Sequence, residues 1–218
     1  LAGLGIAVTP ALLALPNEAF CPASALLRQR ELLSSRSRPL IGLGIGAGNR
    51  MKALEAAQLK ELAEEILART PGTLVLIGSG ADQTAAAELS AALPAARVVD
   101  SSGQWPLGDL PALLAGLDVF VGVDSGTTYL ADAVGVPVVD FMGPADADDQ
   151  RPLGKHALII RSNEPCAPCS HAFDAPYRCH LGTRACILAA PLSSIAERAA
   201  RLIAQSASPA CTSTKNHC

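Results

Sequence analysis

Short, continuously apolar segments alternate with amphipathic ones through most of the chain, from residue 39 to residue 205. Segments such as PLIGLGI, TLVLIG, DVFVGV and VPVVDF are apolar at consecutive positions, which is typical of strands covered on both faces. The segments between them have a helical period; EAAQLKELAEEILAR, for example, places Leu59, Leu62 and Ile66 on one stripe. This alternation predicts an α/β domain over residues 39–205, in which helices cover both faces of a doubly wound parallel sheet.

The composition fits such a core and excludes other classes of protein. Half of the 218 residues are hydrophobic and 17% are charged, which argues against disorder. The formal net charge is −3 and there is no basic tract, so a nucleic-acid partner is disfavoured, because binding to a phosphate backbone needs a concentrated cationic face. No uninterrupted apolar run reaches the roughly 18–20 residues that span a bilayer.

The two ends of the chain differ from the alternating region. Residues 1–22 contain three prolines and no long period, so they are predicted to form a connector, and a helix is predicted over residues 23–36. The polar segment SASPACTSTKNHC, residues 206–218, is predicted to be a flexible tail.

A glycine-rich loop, GIGAGNRMK, follows the first predicted strand of the domain. Ligands of open parallel sheets bind outside the carboxyl ends of the strands, so this loop is a candidate for binding. Gly46 and Gly48 would let the backbone approach a ligand closely, and Lys52 adds positive charge near a helix start that can bind phosphate. The loop has neither Walker spacing nor an intact G-x-G-x-x-G, so an ordinary turn of small residues stays open.

Two further loops follow strands of the same predicted sheet. In GSGAD, Asp82 could accept hydrogen bonds from a ribose or a base amino group, or could cap its own helix. In the stretch VFVGVDSGTTYLA, Asp124 ends a strand, and the next helix begins with small and hydroxyl-bearing residues. Their hydroxyls and the free N–H groups of that helix start suit a diphosphate, although a capping turn is the alternative. These residues are Ser125, Gly126, Thr127 and Thr128.

Taken together, the loops resemble the carboxyl-terminal half of the glycosyltransferase family 9 enzymes, the lipopolysaccharide heptosyltransferases. That family has a lysine after the first loop of this half and an acid after the second strand. Lys52 in GAGNRMK and Asp82 in GSGAD stand at those positions. DSGTTYLA resembles the family's D-[ST]-G-x-x-H-L-A, and AVGVPVVDFMGPADA resembles ALGTPTVALFGPTDP. The likeness extends over roughly residues 40–205.

This resemblance implies a GT-B architecture, in which two Rossmann-like domains face a cleft. The carboxyl-terminal domain of the family binds the nucleotide-sugar donor, typically ADP-heptose, and the other domain binds the acceptor and supplies the base. Lys52 would contact the donor diphosphate or sugar, Asp82 the nucleoside, and Asp124, Ser125 and Gly126 the diphosphate and sugar. The transfer would invert the anomeric centre without a bound metal, and the enzyme would work in the cytoplasm, where the acceptor is a glycan or a lipid-linked glycan at the inner membrane face.

Two departures from the family pattern affect these expectations. Tyr129 stands in place of the motif's histidine; a tyrosine can donate a hydrogen bond but is neutral near pH 7. The resemblance includes no counterpart of the acceptor-binding domain, so residues 1–38 would be the remnant of that domain and the linker after it. Donor binding and catalysis by this chain alone would then be weak, and the catalytic base is not identified.

A cysteine-rich loop over residues 166–186 has the spacing C-x2-C-x9-C-x6-C. Four thiolates can hold zinc or iron tetrahedrally, so a structural metal site is one interpretation of Cys166, Cys169, Cys179 and Cys186. A cysteine-rich loop that is reduced or disulfide-bonded, and a redox-active C-x-x-C, are the alternatives.

Three functional hypotheses follow from the sequence. The first is the donor-binding part of a nucleotide-sugar-dependent glycosyltransferase. The second is a non-catalytic scaffold or metal-binding member of the same fold, suggested by Tyr129 and the cysteines. The third is another enzyme of GT-B-like fold, such as a sugar-nucleotide epimerase.

Overall fold

A computed structural model describes residues 21–206 of the chain. The expectations for residues 1–20 and 207–218, which concern most of the connector and nearly all of the tail, lie outside the described residues. No helix in the described part is both long enough and apolar enough to cross a membrane.

Six parallel strands form one sheet, and the predicted strands are confirmed. They are β1 (Leu40–Gly44), β2 (Thr73–Ile77), β3 (Val98–Asp100), β4 (Val119–Val123), β5 (Val138–Met142) and β6 (Ala157–Arg161). Their order in the sheet is β3-β2-β1-β4-β5-β6. The chain therefore runs outward from β1 on one side and then crosses back to place β4 beside β1. The crevice between β1 and β4 is the switch point at which ligands bind in doubly wound sheets.

Seven α-helices of the described chain pack on the sheet. They are α1 (Ala23–Leu33), α2 (Ala56–Arg69), α3 (Gln83–Ala91), α4 (Leu110–Ala115), α5 (Gly126–Ala133), α6 (Ala185–Leu188) and α7 (Leu192–Ser206). Short 3-10 turns cover Arg50–Lys52, Gly80–Asp82 and Ala95–Arg97. The turn Gly80–Asp82 directly precedes α3; Ser79 is its N-cap, and the Asp82 side chain accepts a hydrogen bond from the backbone N–H of Ser79.

Hydrophobic cores lie on both faces of the sheet, as the unbroken apolar strands predict. One core joins the sheet to α2, α3 and α7, and includes Leu62, Ile66 and Ile195. The other joins it to α1, α4 and α5, and includes Leu113 and Phe120. Each fully buried aliphatic or aromatic side chain contributes roughly 1.5–3 kcal/mol, so the two cores fix the strand ends that carry the candidate site.

The helix before the sheet is packed against the domain rather than standing apart from it. Ala25 of α1 is buried beside Ala112 of α4, and Leu33 belongs to the second core. Arg38 donates a 3.3 Å hydrogen bond to the carbonyl of Gly116. Residues 21–38 therefore contact the α/β domain, and their assignment as a remnant and linker stays a prediction.

Candidate functional site

Lys52 and Asp124 meet at the switch point of the sheet. Asn49 caps the 3-10 turn after β1, because its side-chain oxygen accepts a 3.1 Å hydrogen bond from the backbone N–H of Met51. This turn directs Lys52 across to the end of β4, where its ammonium group forms an ion pair and hydrogen bond with Asp124 Oδ2. The side chains of Lys52 and Asp124 are 12% and 4% exposed. An ammonium group has three donors, so this contact leaves two for a ligand.

Tyr129 completes a cluster with this pair. Its hydroxyl donates a 2.8 Å hydrogen bond to the second oxygen of the Asp124 carboxylate, Oδ1. Burial raises the pKa of Tyr129 far above its ordinary value, and the charge and hydrogen bond of Asp124 raise it further. The phenol is therefore neutral and a hydrogen-bond donor near pH 7. Together the lysine and the tyrosine hold the Asp124 carboxylate by both oxygens, which fixes the orientation of all three side chains.

Helix α5 begins directly above this cluster. Residues Gly126–Ala133 form the helix, and Ser125, whose backbone is extended, is its N-cap. A β-carbon on Gly126 would meet no atom within 4 Å, so the space in front of this helix start is open to a ligand. Ser125 and Thr127 are partly exposed at the same rim. The free N–H groups and partial positive charge of a helix start attract an anion.

Thr128 has an internal role. Its side chain is fully buried, and its hydroxyl donates a 2.6 Å hydrogen bond to the carbonyl of Val123 at the end of β4. The same hydroxyl lies 3.2 Å from the hydroxyl of Ser125. Thr128 therefore joins α5 to β4, and its predicted contact with a ligand has to compete with these internal hydrogen bonds.

The loops after β1 and β2 meet at Gly46 and Asp82. A β-carbon on Gly46 would lie 2.6 Å from the carboxylate oxygens of Asp82, so any larger residue would have to displace the Asp82 side chain. Asp82 Oδ2 accepts hydrogen bonds from the backbone N–H of Ser79 at 2.9 Å and from its hydroxyl at 2.6 Å. Asp82 thus caps its own turn, which was one of the two interpretations open from the sequence. Gly48 has no atom within 4 Å of a β-carbon and is not constrained in this way.

All three predicted loops therefore lie along one edge of the sheet. They follow β2, β1 and β4, which are neighbours, and parallel strands have their carboxyl ends at the same edge. Lys52 and Tyr129 both contact Asp124, and Gly46 after β1 lies against Asp82 after β2. The arrangement offers a continuous rim that a nucleoside diphosphate could follow from β2 to the β1–β4 crevice.

Sequence reasoning missed a further titratable residue, Asp140. It lies in the middle of β5 between Gly122 of β4 and Ile159 of β6, and it is completely buried. Neither carboxylate oxygen has a hydrogen-bond partner among residues 21–206. Burial raises the pKa of Asp140 well above its ordinary value; the charge of Asp124 raises it further, whereas Lys52 opposes the shift. The feature of the sequence that could have indicated Asp140 is the single acid inside the apolar segment VPVVDF.

The second missed residue is Arg184, which secures the Lys52 turn from outside. Its guanidinium donates hydrogen bonds to the carbonyls of Arg50 at 3.2 Å, Met51 at 3.4 Å and Ala53, and forms an ion pair with Glu55. Because Arg184 belongs to the cysteine-rich loop, that loop holds the backbone on either side of Lys52. No local pattern in the sequence indicates this long-range contact.

Comparison with known proteins identifies the family. The model of glycosyltransferase family 9 (heptosyltransferase) matches residues 17–178, which is most of the chain. The chain belongs to glycosyltransferase family 9. Its predicted fold is confirmed by the solved E. coli ADP-heptose lps heptosyltransferase II, which is 24% identical with a TM-score of 0.68. That match covers 86% of this chain and 53% of the E. coli chain.

Two other members of the family support the relationship. Lipopolysaccharide heptosyltransferase 1 of Pseudomonas aeruginosa is 33% identical over 113 residues, which are 52% of this chain and 31% of that protein. The solved E. coli heptosyltransferase WaaC with ADP is 21% identical with a TM-score of 0.51, over 62% of this chain and 42% of that one. The chain thus corresponds to about a third to a half of the length of these family 9 proteins.

The cysteine-rich loop of this family 9 chain brings its thiols near one another. Burial raises the pKa of Cys186, and the charges of Cys166, Cys169 and Cys179 add to the shift. The pKa of Cys179 is lowered, chiefly by a hydrogen bond from the backbone of Arg184. All four are free thiols in this structure. No group of three or more His, Cys, Asp or Glu residues between 21 and 206 is arranged to hold a metal ion, so the structural zinc or iron stays a prediction.

A cavity of about 370 Å³ is lined in part by Tyr129. The loop after β5 lines it with Asp148, Asp149, Gln150 and Arg151. Asp148 is held by hydrogen bonds of 3.0 and 2.6 Å from Arg161, which lower the pKa of its carboxyl group. The acidic residues of this loop are therefore fixed in place by ion pairs and hydrogen bonds.

Proposed function

We propose that this chain is the donor-binding part of a glycosyltransferase that transfers a sugar, heptose from ADP-heptose, to a lipopolysaccharide-type or other glycan acceptor. Family membership supports the reaction type. The observation that carries the proposal is the contact of Lys52 with Asp124 and Tyr129 at the switch point, below the open start of α5. A buried cation beside a helix start suits the diphosphate of a nucleotide sugar.

The diphosphate would lie between Lys52 and the first turn of α5. When the bond between the sugar and the diphosphate breaks, negative charge builds up on the leaving oxygen. Two free donors of Lys52 and the N–H groups around Gly126 would stabilise this charge, because they are already oriented before the reaction starts. Asp124 keeps the ammonium group in position, and Tyr129 keeps the carboxylate in position. The transfer proposed here inverts the anomeric centre and requires no bound metal.

The nucleoside would extend from the crevice towards β2. Asp82 has one oxygen, Oδ2, engaged with Ser79, and the other available to accept a hydrogen bond from a ribose hydroxyl. Gly46 and Gly48 keep the path between the two sites free of side chains. The expected ligand contains adenosine diphosphate, because Asp82 is one of the residues that carry the resemblance to heptosyltransferases. The acceptor, the cytoplasmic location and an association with the inner membrane face belong to the proposal for the whole enzyme.

The test is the affinity of the 218-residue chain for ADP, ADP-glucose and UDP-glucose, measured by calorimetry. Lys52→Ala should weaken ADP and ADP-glucose at least about tenfold, because a hydrogen bond to a charged group is worth roughly 1.5–3 kcal/mol. Lys60→Ala is the matched control, since Lys60 is 51% exposed on α2 and forms a 3.6 Å ion pair with the similarly exposed Glu64. Equal affinities of the two variants, or no binding by the wild type at millimolar ligand, would contradict the proposal.

A further inference from the structure

We propose that Asp140 is a charge-determining residue of the diphosphate site, and that it must carry a proton for the anionic donor to bind tightly. This inference rests on the proposed function and names a residue that the family motifs do not include. It is carried by position, burial and the charges around the carboxyl group.

Asp140 lies directly below the place proposed for the diphosphate. Its register partner on β4 is Gly122, two residues before Asp124, and Gly122 has no side chain to separate the two carboxyl groups. Thr128 of α5 lies over Gly122, because a β-carbon on that glycine would come within 3.1 Å of its hydroxyl. Asp140 is thus enclosed between the sheet and the first turns of α5, on the same side of the sheet as Asp124.

The charged and titratable groups that face Asp140 come from each of the elements around it. Asp124 follows β4, Lys52 follows β1, and Tyr129 and Asp132 belong to α5. On the remaining side, β6 presents Ile159, which is apolar. Lys52 is the one cation among these groups, and it already forms an ion pair with Asp124.

An ionised Asp140 would be buried without a partner. A buried carboxylate with no hydrogen bond or counter-ion is strongly unfavourable compared with the neutral acid. In the protonated state, Asp140 adds no charge to the ion pair of Lys52 and Asp124 below the positive end of α5. In the ionised state, Asp140 adds one negative charge beside this pair and repels the diphosphate.

Donor binding and the proton on Asp140 are therefore linked. A bound diphosphate adds negative charge next to the carboxyl group and favours its protonated form still more. The affinity for the donor should then fall with rising pH through the window between the pKa of the free site and that of the occupied site. The total loss is about tenfold for each unit by which the two pKa values differ.

The experiment is the affinity of the 218-residue chain for ADP-glucose between pH 6 and pH 9.5 at constant ionic strength. ADP-glucose is chosen because both of its phosphates stay ionised throughout this range. The wild type should bind more weakly at the alkaline end than at pH 6, by at most about tenfold for each unit by which bound ADP-glucose raises the pKa of Asp140. Asp140→Asn, whose side chain is uncharged at every pH, should lose this dependence, whereas Glu61→Gln removes an exposed carboxylate of α2 and should keep it.

Each outcome separates the two proposals. Binding of ADP-glucose with the same pH dependence in the wild type and Asp140→Asn would overturn the role of Asp140 and leave the proposed function intact. Absence of binding by the wild type at every pH would overturn the proposed function. If Asp140→Asn does not fold, Asp140→Ala and a carbon-13 NMR titration of the wild-type carboxyl group replace it. The carboxyl titration should move to higher pH when ADP-glucose is bound; an unchanged midpoint would count against the linkage.

Discussion

The buried carboxyl group of Asp140 should make the stability of the protein fall as pH rises. Because burial raises its pKa in the native state, the native protein holds this proton over a pH range in which the unfolded chain has released it. The unfolded carboxyl group has a pKa of about 3.9. Between that value and the native pKa, the free energy of unfolding should therefore decrease by about 1.4 kcal/mol per pH unit. Above the native pKa, the loss should be complete and constant.

Asp140→Asn isolates this effect because the amide does not titrate. Urea unfolding of the two proteins, followed by circular dichroism from pH 4.5 to pH 9, gives the difference in their free energies of unfolding at each pH. The wild type should lose stability relative to the variant as pH rises, with at most the slope given above. A difference that is independent of pH would show that Asp140 does not keep its proton in the native state.

Two further substitutions test how the loops of the site are held. Gly46→Ala places a methyl group against the carboxylate of Asp82, so it should lower the free energy of unfolding by about 1–3 kcal/mol and weaken the binding of ADP. In Gly48→Ala the methyl group meets no atom, so neither quantity should change. Urea unfolding and calorimetry measure the two effects, and similar results for both variants would show that Gly46 is not crowded by Asp82. Arg184→Ala removes the hydrogen bonds that hold the turn containing Lys52, so it should weaken the binding of ADP about tenfold although Arg184 is not a predicted ligand contact. Arg201→Ala breaks an exposed ion pair on α7 and should not change the affinity for ADP. If Arg184→Ala binds ADP like the wild type in calorimetry, the turn is held without Arg184.

The fold and the location of the site could be predicted because both follow from local patterns. Unbroken apolar strands indicate a sheet covered on both faces, and parallel strands place their loops at one edge. The sequence positions of Lys52, Asp82 and Asp124 after three such strands were therefore enough to place them on one rim. Their direct partners were harder to predict, since the hydrogen bond between Tyr129 and Asp124 depends on the angle at which α5 leaves β4.

Arg184 and Asp140 escaped prediction for different physical reasons. Arg184 acts on a turn more than 130 residues earlier in the chain, and such a contact has no periodic signal in the sequence. Asp140 was missed because the other residues of β5 are apolar and predict a buried strand, and one acid hardly alters that pattern. An acid at such a position is costly to bury, so the pattern that makes it inconspicuous is also the reason to examine its charge state.

The charge of the site follows from these two residues together with the predicted ones. Lys52 and Asp124 are paired with each other, and Tyr129 is neutral, so this cluster of three side chains carries no net charge. Its attraction for a diphosphate then depends on the two free donors of Lys52 and the partial charge at the start of α5, each of which is modest. In such a balanced site, one more buried charge decides whether an anion is attracted or repelled. The protonation of Asp140 therefore has more influence on donor binding than its distance from any predicted ligand contact suggests.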